Sequence, residues 1–199
     1  IYVHNSPYSA GLWGEIDRLG QEFRQTLTTE TLKDISGIAA TRQVYRACGK
    51  DPSRYRPAAE SLIRRILQGK QLYQINTLVD LVNLASIRYG YSIGGFDADK
   101  FEGDTLTLGV GRAGEPYEGI GRGTINIEGL PVYRDAVGGV GTPTSDHERT
   151  KIDDNTTHLV VLINGYDGCE ADVRANAEYI LQLARDYCDG TDGSYYIYK

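Results

Sequence analysis

Asn76-Thr77-Leu78-Val79-Asp80-Leu81-Val82-Asn83-Leu84-Ala85-Ser86-Ile87-Arg88-Tyr89 is the stretch on which the reading of this chain turns. Its apolar residues go almost all the way round a helical wheel, which predicts a helix buried on most sides. Asn76 has the short polar side chain that suits an N-cap. Asn76, Asp80 and Asn83 are spaced by four and three residues and so share one face. A buried amide or carboxylate without a partner is costly. The stripe is therefore expected to line a cavity or to lock a neighbouring loop.

On the N-terminal side the chain reads as further helices. Leu12, Ile16, Leu19, Phe23 and Leu27 recur at helical steps with charged residues between them. A second helix is expected over Ala39 to Ala47, ended by Gly49. A third opens at Arg56-Pro57, with proline at its first position, buries Leu62, Ile63, Ile66 and Leu67, and closes at Gly69. On the C-terminal side the period changes. Thr105 to Leu108 alternates, Pro131-Val132-Tyr133 suits an edge strand, and His158 to Ile163 reads as a buried strand. Glycine clusters at 109–114, 119–123 and 138–141 mark turns and close backbone approaches. A last helix over Glu170 to Cys188 returns to pack on this β-structure. The pattern is that of an α+β fold, one domain over 1–199 with a helical portion at about 8–70 packed on it.

Composition narrows the function. A hydrophobic content of 40% and a charged content of 24% are those of an ordinary globular chain. No apolar run approaches the roughly 20 residues that span a bilayer, and the start lacks the pattern of a signal peptide. These readings point to the cytoplasm and away from a membrane. Cys48, Cys169 and Cys188 are odd in number and widely spaced, as expected of reduced thiols. The net charge of −6 argues against indiscriminate nucleic-acid binding, yet residues 42–70 hold eight basic and two acidic residues. That basic segment, with Arg54, Arg56, Arg64, Arg65 and Lys70, is a candidate RNA-binding face or, equally, a pair of solvated helix faces.

The chemical motifs are sparse. Gly109-Val110-Gly111-Arg112-Ala113-Gly114 has the form G-x-G-x-x-G, but Glu115-Pro116-Tyr117 follows where a helix N-terminus is required, so a turn is expected instead of a dinucleotide site. Asp97, Asp99, Glu102 and Asp104 lack the spacing of a calcium loop and are read as turn caps, with Phe96 and Phe101 anchoring the segment. Neither a metal nor a cofactor is expected, and no catalytic side chain can be named. Gly141 to Thr150 concentrates Thr142, Ser145, Asp146, His147, Glu148 and Arg149 in one loop. Two readings of it stand open: self-capping through Asp146 and Thr150 with a Glu148–Arg149 surface pair, or a ligand approaching the backbone beside the glycines.

Three stretches together resemble the B3/B4 family, the editing domain of the phenylalanyl-tRNA synthetase β subunit. They are Lys50 to Pro57, Ile75 to Asn83 continuing to Gly94-Gly95-Phe96-Asp97, and Ser145 to Thr150. The second is the most specific, since the synthetase domain also has I-N-x-x-V-D-x-x-N followed by F-D. The third is closest to free-standing members. The resemblance implies an α+β fold, a β-sandwich of unusual topology with helices outside, and an activity that hydrolyses amino acids wrongly attached to tRNA. Val82 replaces the family's threonine, Gly94 its histidine, and the strand glutamate that reads a tyrosyl hydroxyl falls at or near Leu162, so the resemblance implies no tyrosine specificity. The site it implies is a cavity between Asn76, Asp80 and Asn83 and the glycine loops, with Arg122, Thr142, Ser145, Asp146 and Arg149 at its mouth. Asp80 and Asp146 would hold an α-amino group, and amides from Gly139 through Gly141 to Thr142 an oxyanion. The implied partners are tRNA and an amino-acid-like ligand; the alternative is a binding module without chemistry.

Overall fold

Five helices and seven short strands follow one another in two blocks, seen in a computed structural model that describes residues 1–199. The first block is α1 (Ala10–Thr26), α2 (Ser36–Ala47), α3 (Ala58–Leu67) and α4 (Thr77–Tyr89). The second is β1 (Ile93–Asp97), β2 (Thr107–Val110), β3 (Glu118–Gly119), β4 (Gly123–Thr124), β5 (Pro131–Arg134), β6 (Gly139–Gly141) and β7 (Leu159–Ile163), closed by α5 (Glu170–Cys188). The fold is α+β. Pro57 is the N-cap of α3 and not its first helical residue, and β2 lies two residues beyond the expected Thr105–Leu108.

Helix α4 organises the first block. The Asn76 side chain accepts from the Val79 amide at 3.0 Å, Asn5 Oδ1 accepts from the Leu78 amide, and Gly90 ends the helix in the left-handed conformation at φ 73°. Leu78, Leu81, Leu84, Ala85 and Ile87 are all essentially inaccessible, packed with the buried faces of α1, α3 and α5 in one core of 24 buried residues. At about 25 cal/mol per Å² of apolar surface, such burial is the main force holding the layer together.

The strands form three small antiparallel sheets, in the orders β1-β7, β2-β5-β6 and β3-β4. In the first, Gly94 pairs with Leu162 and Gly95 with Val161. Paired residues point to the same face and alternate along the strand. Ile93, Leu159, Val161 and Ile163 face the helical core, and a Cβ at Gly95 would touch Val82 of α4. Gly94, Phe96, Val160 and Leu162 consequently face the other way, toward the β2-β5-β6 sheet, where Tyr133 pairs with Gly141. The sandwich is thus two narrow sheets facing each other across the Phe96 ring. A second core, Tyr45, Tyr117, Ile127, Leu130 and Val132, lies behind the three-stranded sheet. Gly111 donates to Leu130 and accepts from Gly129, so the G-x-G-x-x-G stretch is a turn against neighbouring backbone.

Candidate functional site

The polar face of α4 is consumed inside the protein. Asn76 is the N-cap. Asp80, 1% exposed, accepts the Trp13 indole N–H at 2.8 Å and the Ile75 amide at 3.1 Å. Burial raises its pKa, opposed by those two donors. Asn83 is half-buried one turn on and has no side-chain hydrogen bond in the chain. Asn76 therefore caps α4 and Asp80 ties it to α1 and to Ile75, which corrects the expectation that these two line the cavity.

The loop after β6 caps itself, but through Thr142 instead of the expected Asp146 and Thr150. Thr142 Oγ1 accepts from the Thr144 and Ser145 amides and donates to the Ser145 carbonyl at 3.0 Å, and the Thr142 amide also donates to that carbonyl. Thr142 is thus a turn cap, and its amide is not free for an oxyanion. Gly139 faces the Tyr117 ring, away from the cleft. Arg149 makes a bidentate pair with the nearly buried Asp135, both bonds 2.9 Å, instead of a pair with Glu148. Burial pushes Asp135 up, but Arg149 and the amides of Glu102, Gly138 and Val137 outweigh it and hold it at about 2. Glu148 pairs with Lys151, while the Thr150 hydroxyl is buried without a partner. Ser145 Oγ and the Cβ of Arg122 lie over Gly119, and Arg122 is exposed at the tip of the β3-β4 hairpin.

Asp146 differs from all of these. Its carboxyl lies between the two sheets and is partly exposed: Oδ2 accepts only the Gly95 amide, at 3.3 Å, while Oδ1 lies about 3 Å from where a side chain at Gly94 or Gly141 would begin. The same two glycines admit the edge of the Phe96 ring, so any Cβ there would collide with the ring and crowd the carboxyl. No guanidinium or ammonium pairs with it. Burial, little relieved by the single amide, pushes its pKa up to about 8. A cation arriving beside it would favour the ionised form.

Beyond β7 stand residues that the sequence reading did not single out. Tyr133 and Tyr166 each donate to Asn164 Oδ1 at 3.1 Å, and Asn164 Nδ2 donates to the Ser92 carbonyl at 2.8 Å. Burial raises the pKa of both phenols, that of Tyr133 to about 12, so they remain neutral donors. Leu162 and Val160 lie half-exposed beside them, outside both cores. The signal for this shell was composition: the chain has 15 tyrosines and only 3 phenylalanines, a bias toward rings that carry a hydroxyl.

The candidate RNA-binding residues fall into two groups. Arg56 and Arg64, joined by Arg42, surround Glu60, which is 0% exposed. Arg65 stacks on the exposed Tyr73 at 3.8 Å, Arg54 lies over Tyr55, and Lys70 is exposed past the end of α3. No helix is long and apolar enough to cross a membrane. The three cysteines are unbridged.

No curated protein matches the chain. Residues 40–184, which include α4, all seven strands and the Thr142–Arg149 loop, match the family model of the B3/4 domain. That is the family of the tRNA-binding and editing regions of phenylalanyl-tRNA synthetase β subunits. The match spans well over half of the sequence, and the chain belongs to the B3/4 domain family.

Proposed function

We propose that this protein takes the aminoacyl end of a charged tRNA into the cleft between its two sheets and hydrolyses the ester there, acting in trans on tRNA made by another enzyme. One observation carries the reading: Asp146 is a carboxyl set between the two sheets with a single amide donor and no cation of its own. An α-ammonium group beside Asp146 would supply the missing partner. The amino-acid side chain would then lie over Leu162, between Tyr133 and Tyr166. A floor of Leu162 offers no partner to a side-chain hydroxyl, which favours an apolar residue. The nucleophile in this reading is a water held by substrate and backbone, since no side chain is placed to attack. The cytoplasm, where such tRNA is charged, is the compartment proposed with it.

A second reading has its own support. The Thr142 amide is committed to Ser145, and Gly139 and Gly141 are in the ladder with β5. With these amides engaged, an oxyanion has few donors, which favours a module that binds the aminoacyl group without cleaving it. Incubation with a panel of misacylated tRNAs separates the two. Deacylation is expected for tRNAs bearing apolar amino acids, falling at least about tenfold in Asp146→Asn. Release from no member of the full panel removes the enzyme, and binding that ignores Asp146→Asn removes the aminoacyl site altogether.

A further inference from the structure

Glu60 lies in the first turn of α3 with no exposed surface, and three arginines converge on it. Arg42 Nη1 donates at 2.8 Å, Arg64 Nε at 3.0 Å, and Arg56 Nε approaches to 3.4 Å. One guanidinium is enough to neutralise a buried carboxylate, so the cluster keeps a surplus of two positive charges in a small space. Arg42 has further bonds to the Pro52 carbonyl and the Ser53 hydroxyl, both at 3.4 Å. The terminal nitrogens of Arg56 and Arg64 have no hydrogen-bond partner in the chain, and their side chains are 40% and 25% exposed. Arg64 is held by its Nε edge, Arg56 Nε is buried 3.4 Å from Glu60 Oε1 without a hydrogen bond, and the Nη atoms of both are left for something outside. A fixed pair of guanidinium forks matches the geometry of a phosphate, which accepts parallel N–H bonds.

The cluster also adjoins the cleft. Arg56 is two residues before Ala58, whose amide donates to the Pro143 carbonyl at 2.8 Å, and the Tyr55 carbonyl accepts the Thr144 hydroxyl. Pro143 and Thr144 belong to the loop that ends in Asp146. We infer that Arg56 and Arg64, held in register by Glu60 and backed by Arg42, clamp a phosphodiester of the RNA strand whose charged end enters the cleft. The inference rests on the proposed function and deepens it by fixing where the backbone is gripped. Glu60 is then a positioning residue: its negative charge opposes RNA over a distance, yet it organises the groups that bind RNA.

Fluorescence anisotropy with uncharged tRNA over a range of KCl concentrations tests this without any use of the aminoacyl site. Arg56→Lys/Arg64→Lys preserves charge and removes the forks; it is expected to weaken binding at least about tenfold with little change in salt slope. Arg56→Ala/Arg64→Ala is expected to weaken binding and lower the slope by about 1.5. Glu60→Gln, folded as judged by circular dichroism, is expected to bind more weakly, although simple charge counting predicts tighter binding. If that variant does not fold, the lysine pair decides. Lysine-pair binding equal to wild type, or tighter binding by folded Glu60→Gln, overturns the clamp and leaves the aminoacyl reading standing. Failure of wild type to bind any tRNA overturns both. Inorganic phosphate that binds wild type, is lost in the alanine pair, and displaces tRNA at equal occupancy would reassign the forks to a free anion.

Discussion

Two carboxyl groups set on either side of the Thr142–Asp146 loop show opposite solutions to one problem. Glu60, among the helices, is met by three guanidinium groups; Asp146, between the sheets, is met by one amide and the edge of a phenylalanine ring. Removing a charge from water costs several kcal/mol unless partners replace the water. Around Glu60 the chain supplies more partners than the acid needs, and the excess is positive charge presented outward. Around Asp146 it supplies fewer, and the deficit raises its pKa. Asp135 and Asp80 lie between these extremes, each satisfied by donors of the chain itself. The number of donors around a buried acid thus separates groups the fold uses for itself from groups open to a ligand.

Glu60→Ala tests the oversupplied side and is expected to have the largest effect. It leaves crowded, partly buried guanidiniums without their counter-charge, for a loss of about 3–5 kcal/mol in urea denaturation. A loss below about 1 kcal/mol would mean that the arginines already rely on solvent. Asp146→Asn tests the undersupplied side. The folded protein holds the Asp146 proton up to about pH 8, against an ordinary carboxyl value of 3.8. Stability from this group is complete below about pH 4 and is lost as pH rises toward 8. Denaturation of wild type and variant at pH 5 and pH 8 should show the variant gaining about 3 kcal/mol relative to wild type over that interval. Parallel pH profiles would mean that the carboxyl is already hydrated. The smallest effect is assigned to Asp80→Ala, about 2 kcal/mol, from leaving the Trp13 and Ile75 N–H groups unpaired. Tightness of aminoacyl-tRNA binding should not change in that variant; a change would return Asp80 to the cleft.

What could be read from the sequence was local. The extents of α1, α4 and α5 follow from apolar periodicity and from caps such as Asn76, which act within a few residues of themselves. The strand at Thr107–Val110 was displaced because Thr-Leu alternation fits several registers, and only pairing with Pro131–Arg134 selects one. β1 and β6 hold glycines in place of strand-forming residues, and the reason, room for Phe96 and Asp146, lies in another sheet. The same distance limits the site. Asp146 stood out by its loop. Arg149 stood out too, but its partner Asp135 lies 14 residues away on another turn, so a structural ion pair had the look of a binding residue. Tyr133, Asn164 and Tyr166 carry no motif at all, and only folding brings them together. The α4 stripe was correctly seen as one face, yet spacing could not tell a cavity from an indole.

That indole gives the molecule a built-in reporter. Trp13 is the only tryptophan, and its N–H is held by Asp80 where α1 meets α4, far in sequence from the tyrosine-lined cleft. Its emission should shift to the red when α1 peels away from α4, so stopped flow can time the loosening of that one contact with no label attached and no residue changed.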